Sequence, residues 1–401
     1  MGQRAENIKG AEMVVYSAAI SKENPELKAA LESGIPTFQR AELLGEVSRQ
    51  FTNCIGICGT HGKTTVTSLT VQTMIEAGLD PSAVIGGKLP LTNSYGRVGN
   101  TETIVMESCE YQDTFLKMSP DVAVILNIDE DHLEYFKTME NLILSFTKFA
   151  ESATKAIIYN GDDENTLKAI KDIKGKEMIS FGFDSKNDYY AENVEEYKGA
   201  FTKFDIMYKG EKLGSVELAI PGIHNILNAL AAIASAIYSG AKFEDCIKGL
   251  QEFKGAGRRF EDLGTYNGID FIDDYAHHPA ELKVTLEAAM KMGYNTVWAV
   301  FQPFTYSRTA MHFDEFVDVL KIPDRCVMTE IMGSREVNTY DIYTSQLAEK
   351  IPNSVWFNTQ EEVAEYVVNH AKAGDLVLTM GCGDIYKSAF MMIERLKNGT
   401  V

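Results

Sequence analysis

A basic excess, paired cysteines and long apolar runs are all missing from this 401-residue sequence. Lys and Arg number 38 against 57 Asp and Glu, a net charge of -19, which speaks against a nucleic-acid-binding surface and against attraction to an anionic bilayer. Anionic small molecules stay open, because a local cluster of donors is enough to bind one. Six cysteines (54, 58, 109, 246, 326 and 382) show no C-x-x-C spacing, which fits reduced core or loop thiols better than zinc ligands or disulfides. No uninterrupted apolar run approaches the roughly 20 residues that cross a bilayer. The first residues are acidic and polar and hold no signal-peptide core. The expectation is a cytoplasmic protein without membrane insertion. No short-period repeat or low-complexity segment is evident. What remains is an ordinary globular composition, 45% hydrophobic and 24% charged, in a chain long enough for two or three cores.

One stretch organises the rest. Gly59-Thr60-His61-Gly62-Lys63-Thr64-Thr65 follows the apolar run Cys54-Ile55-Gly56-Ile57-Cys58 and opens a helical pattern carrying Leu69, Val71, Met74 and Ile75. Glycines let backbone N–H groups turn inward, the helix N-terminus adds partial positive charge, Lys63 can reach terminal phosphates, and the Thr64 hydroxyl can sit on Mg²⁺. The general G-x-x-x-x-G-K-[ST] spacing is not met, since Ile57 stands where the first Gly falls, so a site for something other than a nucleotide stays open on the motif alone.

Residues 1–48 hold a strand candidate at Met13-Val14-Val15-Tyr16-Ser17, a helix from Pro25 to Ser33, and Ile35-Pro36-Thr37, too few elements for a complete domain. From 49 to 254 strand and helix alternate, the pattern of a mostly parallel sheet covered on both faces. Strands are predicted at 54–58, 103–107, 121–126, 155–159 and 177–181, with helices at 63–77, 138–150 and 163–172. Residues 187–220 break the rhythm with alternating runs and a Lys209-Gly210 turn, which predicts an antiparallel insertion. Pro221-Gly222 then precedes an Ala-rich helix over 224–238. After the link Phe253-Lys254-Gly255-Ala256-Gly257, residues 255–401 repeat the alternation. Strands are predicted near 269–273, 296–301, 325–329, 353–357 and 375–379, and helices near 279–291, 309–320, 342–350, 360–370 and 384–396. The fold class read from this is multi-domain α/β: a central P-loop, parallel-sheet ATPase domain with an antiparallel insertion, then a C-terminal Rossmann-like α/β domain.

Ligands of such sheets collect at the carboxyl ends of strands, and that is where the polar constellations fall. Glu107 ends a strand and Glu110 follows it. Either could hold Mg²⁺, which takes few protein oxygens, or be a solvated strand end. His132 closes Asn127-Ile128-Asp129-Glu130-Asp131-His132 and is either a metal ligand or an exposed loop histidine. Asn225 and Asn228 open the Ala-rich helix, where capping is the competing role. Arg258 and Arg259 sit at the domain junction, where an arginine can swing onto a nucleotide on closure. Asp273-Asp274-Tyr275-Ala276-His277-His278-Pro279-Ala280-Glu281 crowds polar groups into one loop before a helix with Pro in its first turn. Zinc is a poor fit there without a third nearby ligand. Arg308 can clamp a carboxylate or phosphate in two-pronged fashion, and Met380-Gly381-Cys382-Gly383-Asp384 makes a backbone-accessible turn.

Taken in order, these segments resemble the Mur ligases, the ATP-dependent amide-forming enzymes of peptidoglycan precursor synthesis, and most of all their alanine-adding branch. The resemblance runs from about residue 11 onward. It includes Val14 to Ile20, Asn24-Pro25-Glu26 and Arg40-Ala41-Glu42, which are similar to the second half of the family's uridine-nucleotide domain. The first half of that domain, with its Gly-rich turn, has no counterpart in this sequence, so residues 1–48 are expected to be its remnant. The resemblance implies ATP and Mg²⁺ as cofactors and UDP-N-acetylmuramate and L-alanine as substrates. It implies nucleotide contacts from Gly59, Thr60, His61, Gly62, Lys63, Thr64, Thr65, Asn225, Arg259 and Asp274. Thr64, Glu107 and His132 become metal ligands, with Lys63, Glu107, His132 and Arg259 serving catalysis. Tyr275, His277, Arg308 and Cys382 lie near substrate. Ser108, Cys109 and Phe304 depart from the family pattern of Ala, Asp and His, and Cys382 replaces Ala. Alternatives are a sister ligase that adds a preformed peptide, a P-loop kinase or NTPase of another class, and a binding remnant without ligase activity.

Overall fold

The computed structural model describes residues 2–399 except Ala19, Lys198 and Arg335, and leaves the Glu134 side chain undescribed. Three sheets follow one another along the chain. The first is a parallel pair, Val14–Tyr16 with Thr37–Gln39, backed by helices Pro25–Glu32 and Arg40–Ser48.

The second sheet has ten strands. Across it run Glu211–Glu217, Phe201–Tyr208, Tyr189–Tyr197, Glu177–Gly182, Ala156–Asn160, Val122–Ile125, Asn53–Cys58, Thr103–Glu107, Ser82–Leu89 and Ser94–Arg97. Neighbours from Tyr189–Tyr197 through Ser82–Leu89 pair in parallel, and both rims are antiparallel. The central strands are continuous apolar runs because helices cover both faces; every residue of Val122–Ile125 is buried. The antiparallel segment expected over 187–220 is present, and it lengthens this same sheet at its far rim. Its outer strands join through Lys209 and Gly210, both at positive φ (49° and 87°), with no atom near where a Gly210 side chain would stand. The strand Asn53–Cys58 lies between the strands that follow it on either side, so the sheet reverses its order there. A crevice for ligand opens at such a reversal, just beyond the strand's carboxyl end.

Helix Lys63–Glu76 leaves that end and is buried along most of its length despite Thr64, Thr67, Ser68, Thr70, Gln72 and Thr73. Short side chains let it press against the Ala-rich helix His224–Tyr238 and helix Phe243–Glu252. At Gly249 a methyl group would come within 2.6 Å of the Thr73 Cα.

The third sheet has six strands in the order Glu261–Tyr266, Ile269–Asp274, Leu376–Met380, Val297–Phe301, Arg325–Thr329 and Ser354–Phe357. It is parallel apart from its first strand. Helices Pro279–Met290, Gln360–His370 and Tyr386–Asn398 fall close to their predicted spans. The predicted helix over 309–320 is two helices, Tyr306–Met311 and Phe313–Val319, because His312 leaves helical geometry at φ -108°, ψ 28°. Among the described residues no helix is long and apolar enough to cross a membrane, and all six cysteines are free.

Candidate functional site

The carboxyl edges of the second and third sheets meet around one cavity of about 370 Å³. His61, Gly62 and Asn225 line it from the ten-stranded side, and Arg259, Asp274 and Glu281 from the six-stranded side. Apolar atoms of Ile220, Val284 and Ala288 complete the wall.

The Gly59–Thr65 loop is braced by the tip of the neighbouring strand. Asn127 accepts from the His61 N–H (2.8 Å) and donates to the His61 carbonyl (3.1 Å), while its own carbonyl takes the Thr60 N–H (3.0 Å). Gly62 turns at φ 84°, and any side chain there would collide with Asn228 Oδ1 at 2.8 Å. Lys63 is folded back: its Nζ donates to the carbonyls of Gly59 and Thr60 and pairs with Glu110 at 3.0 Å. Burial opposes its charge, but Glu110, helped by Cys109 and Glu107, outweighs that and keeps the ammonium protonated. Glu110 is therefore the lysine's counter-ion.

Thr64 Oγ1 donates to Glu107 Oε1 (2.9 Å), and the Gly86 N–H donates to Glu107 Oε2 (2.7 Å). A side chain at Gly86 would overlap that carboxylate at 2.4 Å, so Gly86 keeps the space that Glu107 fills. His132 packs on Tyr111, with ring centroids 4.7 Å apart, and its Nε2 lies 3.5 Å from Asp131. Asp131 also faces Arg308 across the seam at 3.8 Å. Among the described residues no three His, Cys, Asp or Glu side chains form a cage for a metal ion.

The two candidate asparagines do not cap their helix. Ile223 holds the N-cap position without a side-chain bond, whereas Asn225 donates to the Pro221 carbonyl (2.7 Å) and accepts from Asn228 (2.8 Å). The amide is thus held in one orientation on the cavity wall. Burial pushes the neighbouring His224 down to about 4, which leaves it neutral.

On the opposite wall Asp274 accepts from the N–H groups of Phe260 and Ala276, both at 2.7 Å. Burial raises its carboxyl to about 6, with Arg259 and those two donors pulling the other way. Arg258 and Arg259 stack on Tyr275 at 5.0 and 4.9 Å but have different surroundings. Arg258 points inward, to Asp273 (2.9 Å) and the carbonyls of Gly381 and Gly383; Arg259 faces the cavity. His277 Nδ1 lies 3.1 Å from the Tyr275 carbonyl and 3.2 Å from Glu281. Cys382 is half-buried, and burial pushes its thiol up to about 12.

Sequence reading passed over Gly86 and gave no role to Asn127 or Glu281, though both stand in stretches it singled out. The Gly86-Gly87 pair inside an otherwise apolar run was the available signal for a close backbone approach, and Glu281 stands three residues beyond a helix cap.

Family models match in chain order. That of the Mur ligase family catalytic domain covers residues 1–52, the Mur ligase middle domain 57–236, and the Mur ligase glutamate ligase domain 258–383. The UDP-N-acetylmuramate–L-alanine ligase of Acetivibrio thermocellus is 42% identical over 400 residues, covering 98% of this chain and 85% of the relative. That of Lachnospira eligens is 41% identical over 383 residues, covering 94% and 83%. Among solved structures, UDP-N-acetylmuramate-alanine ligase from Thermotoga maritima superposes with a TM-score of 0.86 at 24% identity, covering 100% of this chain and 88% of that one. The MurF ligase of Thermotoga maritima in complex with ADP has a TM-score of 0.72 at 18% identity, covering 99% and 97%. With relatives this similar over nearly its whole length, the chain belongs to the Mur ligase family.

Proposed function

We propose that this chain is an ATP-dependent ligase that joins the lactyl carboxylate of UDP-N-acetylmuramate to L-alanine in peptidoglycan precursor synthesis. The observation that carries this reading is the cavity itself: a phosphate-type loop with a charged lysine faces, across one seam, a second set of strand tips bearing Arg259, Asp274 and His277. The identity of the substrates comes from the names of the relatives.

A carboxylate is a poor electrophile at neutral pH. Its oxygen attacks the γ-phosphorus of ATP, the bond to the β-phosphate oxygen breaks, and ADP leaves an acyl phosphate. The amine then attacks the acyl carbon as its free base, and phosphate departs with the carbon–oxygen bond's electrons as the nitrogen loses a proton. Lys63, released from Glu110 as phosphates arrive, neutralises charge on the transferring group, and such positioned cations supply most of the rate in this chemistry. Thr64 and Glu107 present adjacent oxygens, a donor set that suits Mg²⁺ with several waters retained, and His132 completes the proposed ligand set. Mg²⁺ held there would supply neutralising charge for the transferring phosphoryl group. Asn225 addresses the adenine, Asp274 the ribose and Arg259 the phosphates on closure. Tyr275, His277, Arg308 and Cys382 border the acceptor. Residues 1–48, 49–254 and 255–401 are taken as the three units, the first contributing to the uridine nucleotide.

Phosphate release measured with each substrate omitted in turn tests the reading. Release should require ATP, UDP-N-acetylmuramate and L-alanine together, and Lys63→Ala should lower it at least about 10²-fold. Release that ignores the sugar nucleotide, or that prefers a tripeptide over L-alanine, would replace this assignment.

A further inference from the structure

Glu281 carries none of the roles above, yet its two oxygens do different things. Helix Pro279–Met290 begins with His278 as N-cap and Glu281 closing the capping box. Oε2 does the local work, accepting from the backbone N–H groups of His277 (3.1 Å) and His278 (3.3 Å) and pairing with His277 Nδ1 (3.2 Å). A capping box needs no more than that. Oε1 leaves its own helix and points across the seam, 3.4 Å from Nδ1 of His61 on the phosphate loop.

His61 is a fixed target, because Asn127 pins its backbone on both sides. Its other ring nitrogen lies 3.8 Å from Asp129. The His278 ring stands 6.1 Å away, and Lys63 follows two residues on. The imidazole thus sits between carboxylates from two sheets, an arrangement that suits the cation. Burial opposes both charges, but the partners prevail: His61 is held up to about 9 and the Glu281 carboxyl well below the usual range, with His277, His61 and Arg259 as its stabilising neighbours.

We propose that Glu281 is a positioning residue which, by bridging His61 and His277, sets the distance at which the Asp274–His277 loop docks on the phosphate loop and so aligns acceptor with transferring phosphoryl group. This rests on the ligase reading above. A misplacement of 1 Å between two such loops costs on the order of 10²-fold in rate.

The test uses Glu281→Gln in the full chain. Glutamine also serves at this position of a capping box, so the helix keeps its start while the charge is lost. Turnover should fall about 10-fold or more, while the dissociation constant for ADP changes by less than about threefold, the mark of lost alignment rather than lost binding. His61→Gln should cost a similar factor, and the double variant should be no worse than the weaker single one, since the two act as a unit. With labelled histidine, the His61 titration followed by NMR should move down by at least about one pH unit in Glu281→Gln. Unchanged turnover, additive losses in the double variant, or an unmoved His61 titration would each overturn the proposal. If the wild-type chain forms no amide with any acceptor, the ligase reading fails, and the His61 titration still decides whether the bridge exists.

Discussion

Two adjacent arginines show how far residue type alone carries an assignment. Arg258 and Arg259 are indistinguishable in composition, but Arg258, at φ 60°, ties Asp273 to the turn at Gly381 and Gly383, and the Asp273 side chain is only 2% exposed. Arg258→Ala leaves that buried carboxylate without its counter-ion, with only the Thr379 hydroxyl still donating to it, and thermal unfolding should show a loss of about 3 kcal/mol. Arg259→Ala should leave the unfolding curve nearly unchanged and lower turnover about 10²-fold, as for the loss of one preorganised donor. The sequence pattern placed an arginine at the junction and the family resemblance pointed to Arg259; the physical difference between the two lies in carbonyls more than a hundred residues later, which hold Arg258. Gly59 to Thr65 was legible because its chemistry is local, with turn, helix start and lysine all in one run. Glu110 and Asn127, which hold that run in shape, reach it only through the order of strands. His61 adds a pH signature. Its folded value of about 9 exceeds the unfolded value near 6.5, so its contribution to stability is complete below that unfolded value and lost as pH rises through about 9. Denaturant melts should show wild type weakening over this window more than His61→Gln does.

At the scale of elements, buried parallel strands were readable as unbroken apolar runs, and the long helices by their period. What escaped were elements whose residues answer to a neighbour. The strand Ser82–Leu89 contains Gly86 and Gly87, which break its apolar run, and Gly86 makes room for the Glu107 carboxylate. Helix Phe243–Glu252 places Gly249 against Thr73 of the helix that carries the phosphate loop. A methyl group there must push the two helices apart, and Gly249→Ala should cost about 1–3 kcal/mol in a denaturant melt, the usual penalty of overpacking. The strain enters at Thr73, on the face of helix Lys63–Glu76 that meets helix Phe243–Glu252 and near the end remote from Lys63, so ADP affinity, measured at a temperature where the variant is folded, should fall far less than stability does.

For the whole molecule, the two large sheets are joined at a cleft crossed by two opposite-charge pairs of reversed polarity: His61 faces Glu281, and Arg308 faces Asp131. A ligand that touches both walls stabilises their closed arrangement and the fold together. ADP with Mg²⁺ at about 100 times its dissociation constant should add about 2.7 kcal/mol to the unfolding free energy. The gain should shrink in Arg259→Ala, which removes a contact from one wall only. A melting curve blind to nucleotide would contradict this. The alternating pattern of strand and helix foretold two sheets, but not that their strand tips would meet, because the residues that touch across the seam have no periodicity in common.

The tight hairpin at Lys209 and Gly210 lies on the far rim of the ten-stranded sheet, well away from the strand that launches the phosphate loop. Among the described residues Lys209 reaches back only to Asp188 and Tyr208 at the same rim, and a side chain added at Gly210 would meet no atom within 4 Å; exposed loop tips of this kind accept insertions. A short epitope or a fluorescent label grafted between Lys209 and Gly210 would provide a handle for immobilising the protein or following its tumbling while the chemistry proceeds undisturbed at the opposite side.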